Sequence, residues 1–128
     1  MSDVNRPLSP HLQVYRWGAH MLVSILHRAT GTALAFGILL LIWWLAAVAQ
    51  GPAAYEQFLT AAYHPIGRLV LFGFTWAVLQ HMCSGLRHLY TDTGAGYELK
   101  ANRLSAAMTL VLSTSLTLLV WIIGYGLI

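Results

Sequence analysis

The chain has 128 residues, of which 58% are hydrophobic and only 9% are charged. Soluble domains carry about a quarter charged residues, so this composition excludes a water-soluble surface and hence a soluble domain. The formal net charge of +3 comes from seven Lys and Arg residues that are dispersed along the chain, which argues against a nucleic-acid partner.

Three runs without Asp, Glu, Lys or Arg, over residues 29–55, 69–86 and 104–128, are long enough to cross a membrane. An α-helix needs about 18 to 20 apolar residues to cross about 30 Å of hydrocarbon. The sequence therefore predicts an all-α integral membrane protein, a single domain over residues 1–128 embedded in the lipid bilayer. Its predicted parts are an arm over residues 1–17 and spans over about 20–49, 66–90 and 103–127.

Basic residues flank the predicted spans unevenly, and this asymmetry indicates an orientation. Those before the first long run, or between the second and third spans, are Arg6, Arg16, Arg28, Arg87, Lys100 and Arg103. The connection between the first two spans holds only Arg68. Because cytoplasmic loops carry an excess of Lys and Arg, we expect a cytoplasmic N-terminus and a periplasmic C-terminus.

The first predicted helix, over about residues 20–49, is longer than the hydrocarbon requires. It would extend about 45 Å at a rise of about 1.5 Å per residue, and the apolar stretch "MLVSIL" lies at its inner end. We therefore expect this end to tilt, to protrude or to be covered by a partner. Gly51 and Pro52 end the helix, and Pro65 begins the second one after a short outer connection.

The inner turn and the third span carry no chemistry of their own. In "TDTGAGYELKANR" the glycines Gly94 and Gly96 fit helix termination and re-entry. The third span is rich in Leu, Ser and Thr, has nothing ionisable and is interpreted as a packing helix. The single cysteine, Cys83, excludes an intramolecular disulfide and is interpreted as an apolar filler.

The second predicted helix carries histidines inside its apolar run, where ionisable groups are costly. His81, Ser84, Gly85 and His88 follow i, i+3, i+4, i+7 spacing and share one face. A neutral imidazole at this depth suits haem ligation, with Gly85 admitting a flat ring. A hydrogen bond to another helix, or a proton relay, is the alternative. His81 and His88 project from one side of one helix, so they cannot both be axial ligands of one haem.

A second polar cluster lies in "SILHR", near the inner end of the first helix. Ser24 and Arg28 are one turn apart on one face, with His27 beside Arg28 and with Leu22 and Ile25 around them. A hydroxyl and a guanidinium in an apolar frame suit a ligand with carbonyl groups and an apolar tail, such as a quinone. The alternatives are a Ser24 bond to its own helix backbone and a snorkelling, topogenic Arg28.

Three stretches of the chain together resemble a known family. They are "RPLSPHLQVY", "SILHRATG" and "HMCSGLRHLYTDTG", in that order. They look like the membrane-anchor cytochrome b subunit of succinate dehydrogenase, respiratory complex II, and the resemblance covers the whole chain with its three spans. The arm lacks an Arg- and Ser-rich transit peptide, which favours a bacterial inner membrane.

The resemblance also implies roles for individual residues. His81 would be one axial ligand of haem b, and a second membrane-anchor subunit would supply the other. Ser24, Ile25 and Arg28 would line a ubiquinone site at the junction with the iron–sulfur subunit. The residues implied to contact haem propionates or to carry protons are His27, Arg28 and His88. Succinate would be oxidised on a flavoprotein partner, and this chain would contribute to the reduction of ubiquinone.

Three alternative functions fit the same three-span architecture. A quinol:fumarate reductase anchor would run the reaction in the opposite direction. A small transporter or channel subunit would use His81 as a proton relay and would hold no chromophore. A purely structural anchor would hold neither haem nor quinone.

Overall fold

The computed structural model describes Val14 and residues 16–126, so most of the predicted arm over residues 1–17 lies outside the described residues. The described chain forms four helices, which are α1 (Ala19–Gln50), α2 (Pro52–Tyr63), α3 (Pro65–Asp92) and α4 (Leu99–Gly126). Three of them, α1, α3 and α4, are long and apolar enough to cross a membrane. The predicted all-α fold with three membrane-spanning helices is confirmed.

The outer connection, predicted to be short, contains a helix of its own. Gly51 has a φ of 101°, which favours glycine, and it breaks the chain out of α1. Pro52 is the first residue of α2, a position at which the helix has no use for the backbone N–H that proline lacks. At the other end His64 is extended, and its Nδ1 accepts a hydrogen bond from the N–H of Ile66 where Pro65 begins α3. The two prolines therefore set where α2 and α3 begin.

The turn between α3 and α4 is built on two glycines, as predicted. Gly94 and Gly96 have φ values of 86° and 76°, in the left-handed region. This turn makes α4 antiparallel to α3 and divides the bundle into two ends. The histidine end comprises the start of α1, the end of α3 and residues 93–98, and the α2 end comprises α2, the start of α3 and the last turns of α4.

Small side chains allow the helices to approach closely. The ring of Phe74 on α3 occupies the space that a Cβ of Gly37 on α1 would fill. Cys83 is free and buried between helices. Large apolar side chains face outward instead, with Phe36 70% and Leu69 71% exposed. A small-residue interior with a large apolar exterior is the arrangement of helices that pack inside lipid.

α4 packs against α3 through polar side chains. The hydroxyl of Ser113 donates to Oε1 of Gln80 at 2.5 Å, and both residues are fully buried. Arg87 donates to Asn102 and Ser105, which fixes its guanidinium on the α4 side of α3. The third span is therefore a packing helix, and it packs through hydroxyl and amide groups.

Candidate functional site at the histidine end

Three imidazole rings meet between α1 and α3 at the histidine end. His81 and His88 lie on one face of α3, about two turns apart. α1 brings His27 against both of them. Its ring stacks on His81, with centroids 4.0 Å apart and 9° between the planes, and it meets His88 edge-on at 5.0 Å and 62°. The histidines of two separate motifs therefore form one cluster.

The α1 segment around His27 fixes which ring nitrogen of His81 carries a proton. Nδ1 of His81 lies 3.1 Å from the carbonyl oxygen of His27 and 3.3 Å from Oγ1 of Thr30. A carbonyl oxygen can only accept, so Nδ1 carries the proton and donates it. The Thr30 hydroxyl donates to the Leu26 carbonyl at 2.7 Å, which leaves its oxygen as a second acceptor. In a neutral His81 ring, Nε2 then keeps its lone pair, the state in which an imidazole binds a metal.

A buried serine on α3 holds the ring of His27. Nδ1 of His27 lies 2.6 Å from Oγ of Ser84, a residue with no exposed surface. The same oxygen lies 2.7 Å from the carbonyl of Gln80, which accepts the single hydroxyl proton. Nδ1 of His27 is then the donor to Ser84. The His27 ring is thus fixed by a hydrogen bond at its edge and by the stacked His81 ring at its face.

The donor chemistry of the cluster fits an axial ligand of haem. Among the described residues there is no group of three or more His, Cys, Asp or Glu side chains that could hold a metal ion between them. A coordination sphere that includes His81 must therefore be completed from outside the described part of the chain. Haem would meet this requirement, since its macrocycle supplies four nitrogens to the iron and leaves room for an imidazole from the protein.

Two glycines near the cluster differ in how close a Cβ at each position would come to a histidine ring. A Cβ on Gly31 would lie 3.0 Å from Cε1 of His81, so glycine lets α1 pass closely beside the His81 ring. At Gly85, for which the sequence predicts that a flat ring is admitted, a Cβ would lie 3.7 Å from Cε1 of His27, which is an ordinary van der Waals distance. Within this chain, Gly31 is the glycine that the position of His81 requires.

Ser24, Ile25 and Arg28, which we call the α1 strip, lie one turn or less from His27 along α1. Ile25 is 46% exposed, Arg28 is exposed and Ser24 is half-buried. Thr32 bonds back to the carbonyl four residues before it at 3.1 Å, whereas Ser24 makes no side-chain hydrogen bond within the described residues. Arg28 likewise has no ion pair there. A hydroxyl and a guanidinium that the described part of the chain does not use suit the carbonyl oxygens of a ligand.

The α1 strip stays separate from the histidine cluster. Its side chains make no hydrogen bond or ring contact with the three histidines in the part of the chain that the structure describes. Ser84 and Thr30 complete the cluster, although neither was predicted as a site residue. Ser84 follows His81 by three residues on one helix face, and Thr30 follows His27 by three. That spacing is the signal by which both residues can be found in the sequence.

Comparison with known proteins identifies the family. A family model described as the succinate dehydrogenase/fumarate reductase transmembrane subunit matches residues 2–120. The succinate dehydrogenase cytochrome b556 subunit of Paracoccus denitrificans is 40% identical over 98% of each chain. That of Rickettsia felis is 38% identical over 91% of each chain. The mitochondrial cytochrome b560 subunit of Sus scrofa is 35% identical over 85% of this chain and 66% of its own. The chain belongs to the family of succinate dehydrogenase/fumarate reductase transmembrane subunits.

Proposed function

We propose that this chain is the membrane-anchor cytochrome b subunit of a bacterial succinate:ubiquinone oxidoreductase, binding haem b jointly with a second anchor subunit and forming part of the ubiquinone-reduction site. The observation that carries the proposal is His81, whose Nδ1 donates to the α1 main chain and whose Nε2 keeps its lone pair inside a membrane span. The relatives from Paracoccus and Rickettsia are named succinate dehydrogenase subunits, and this name favours succinate oxidation over fumarate reduction.

His81 would provide one axial nitrogen to the haem iron, and a histidine or other donor of the second anchor subunit would provide the other. Haem b, when bound, accepts and returns single electrons. The His27 carbonyl keeps Nδ1 of His81 protonated and orients the ring, as outer hydrogen-bond partners of metal ligands generally do. His27, Arg28 and His88 would lie toward the haem propionates or carry protons: the His27 ring contacts the rings of His81 and His88, and Arg28 follows His27 on α1.

The α1 strip would form this chain's wall of the ubiquinone site. Ubiquinone takes two electrons and two protons to become ubiquinol. The Ser24 hydroxyl would hydrogen-bond one quinone oxygen, the Arg28 guanidinium would stabilise the negative charge that develops on an oxygen during reduction, and Ile25 would contact the ring. The two polar groups are available for this role because they have no bond or ion pair within the described chain.

The iron–sulfur subunit would cover the inner end of α1 and deliver electrons from the flavoprotein subunit, on which succinate is oxidised. The exposed apolar side chains of this end support the placement: Leu22 is 43% and Trp17 68% exposed beside the strip. Such a partner accounts for an α1 that is longer than the membrane requires, about 48 Å for its 32 residues. The histidine end would then face the cytoplasm, in accord with the positive-inside rule, and the C-terminus the periplasm.

Two activities of the purified complex test the quinone assignment. Ser24→Ala and Arg28→Leu should slow ubiquinone reduction by about tenfold or more while succinate oxidation by a soluble artificial acceptor persists, because the latter needs no site in the membrane. Thr32→Ala is the matched control: this exposed hydroxyl lies one turn from Arg28 and bonds only to its own helix. Equal loss of both activities in the strip variants, or equal loss in the control, would contradict the assignment.

A further inference from the structure

A cavity at the α2 end lies far from the histidine cluster and from the α1 strip. It has a volume of about 340 Å³ and is bounded by α2, the start of α3 and the last turns of α4. Its apolar lining includes Phe58, Leu71, Val120 and Trp121. Val120 is 51% exposed, so the cavity opens toward the surroundings of the bundle. A cavity of this size, mostly apolar with a single charged group, has the character of a site for an amphiphilic molecule.

The charged group is Arg68, in the first turn of α3. Its guanidinium carbon lies 5.8 Å from the ring centroid of Tyr63 and 5.7 Å from that of Tyr125, so two tyrosines hold the cation at the cavity. Contacts with aromatic faces leave the N–H bonds, which radiate in the guanidinium plane, for other partners. The guanidinium makes no hydrogen bond or ion pair within the described residues, and that includes the nearest carboxylate in sequence, Glu56.

Arg68 stands apart from the other basic residues of the sequence. Arg68 is the only Lys or Arg between Arg28 and Arg87 in the sequence. A snorkelling cation, or a cation beside the C-terminal end of α4, would explain the charge. Neither explanation requires an apolar cavity next to the guanidinium, and neither leads to a bound molecule.

We propose that this cavity binds an anionic phospholipid, with the phosphodiester on Arg68 and one acyl chain in the apolar cavity. The phosphodiester supplies a negative charge and several acceptor oxygens, which match a guanidinium whose donors are unused within the described residues. The bilayer places such headgroups at the ends of membrane-spanning helices, the level at which Arg68 stands in α3. A neutral quinone ring would leave the charge of Arg68 uncompensated, and a partner protein would need a carboxylate at the same point.

The test measures retained lipid on the intact purified complex by native mass spectrometry, after delipidation and addition of phosphatidylglycerol. Arg68→Gln removes the charge, and Arg103→Gln is its matched control, because Arg103 is exposed at the opposite end. Gly124→Leu fills the cavity without a clash, since a Cβ at Gly124 meets no atom within 4 Å. Gly73→Leu is the matched control, because a Cβ there meets no atom within 4 Å either and Gly73 does not line the cavity.

Arg68→Gln and Gly124→Leu should each reduce retained phosphatidylglycerol by about tenfold, with both controls unchanged and subunit composition intact in the same spectra. Arg68→Lys, which keeps the charge but loses the planar fork, should retain an intermediate amount. Unchanged retention in both cavity variants, or equal loss in their controls, would overturn the proposal. So would a ubiquinone or a subunit, and not a phospholipid, as the species lost from Arg68→Gln.

Discussion

Replacing Ser84 with alanine tests the contact that couples the two motifs of the histidine cluster. Ser84 accepts from Nδ1 of His27 at 2.6 Å in a fully buried position, and alanine leaves this N–H without an acceptor. Hydrogen bonds between membrane helices contribute about 0.6 kcal/mol on average and up to about 1.7 kcal/mol. The shortness and burial of this one place it toward the upper part of that range, at about 1 to 1.5 kcal/mol.

The rate of haem loss from the purified complex in warm detergent reports this coupling. A barrier lowered by about 1 to 1.5 kcal/mol corresponds to haem loss that is roughly 5 to 13 times faster in Ser84→Ala. His81 itself should stay in place, because its Nδ1 donates to the main chain of His27 and not to the His27 side chain. Haem content before heating is therefore expected to equal that of the wild type. Ser115→Ala, an exposed serine without a side-chain bond among the described residues, is the control.

A double-mutant cycle with His27→Ala separates this contact from a general loss of stability. If Ser84 acts through His27, the double variant should lose haem no faster than His27→Ala alone, since the partner is already gone. A double variant whose rate acceleration equals the product of the two single accelerations would contradict this coupling, because Ser84 would then act independently of His27.

Two further substitutions address the packing that positions the site. Ser113→Ala leaves the buried amide of Gln80 without a side-chain partner among the described residues and should lower the stability of the assembled complex by about 1 to 3 kcal/mol. Adding Gln80→Met should restore most of this lost stability. The midpoint of heat-induced disassembly measures both changes. Gly37→Leu should reduce assembled complex in membranes severalfold, because its Cβ would enter the Phe74 ring, whereas Gly73→Leu should not; equal yields of the two glycine variants would contradict the packing described.

Most of the fold could be predicted, because a membrane-spanning helix needs length and apolarity, which are local properties of the sequence. Gly51, Pro65 and Gly94 mark helix ends through backbone chemistry that is equally local. α2 was missed because its 12 residues are too few to cross a membrane and so gave no signal in a search for spans. Its position depends on packing against α1 and α3.

The candidate site could be predicted only in part, because sequence patterns report local properties and the site depends on contacts between helices. The shared face of His81 and His88 follows from spacing within one helix. The stacking of His27 on His81 joins residues 54 positions apart, and no periodicity within one helix reports a contact between two helices. Arg87 is a second example. Its hydrogen bonds to Asn102 and Ser105 on α4 could not be inferred from its place beside His88 in the sequence.

The role proposed for His81 is tested by comparing three single histidine variants through the reduced-minus-oxidised absorbance of the purified complex. His81→Ala should abolish the b-type Soret and α bands, since it removes the proposed axial nitrogen, whose ring the α1 main chain orients. His27→Ala and His88→Ala should retain the bands, because in the proposed arrangement these side chains would lie beside the ligand without binding the iron. Bands that survive unchanged in His81→Ala, or that vanish only in one of the other two variants, would contradict the assignment of His81.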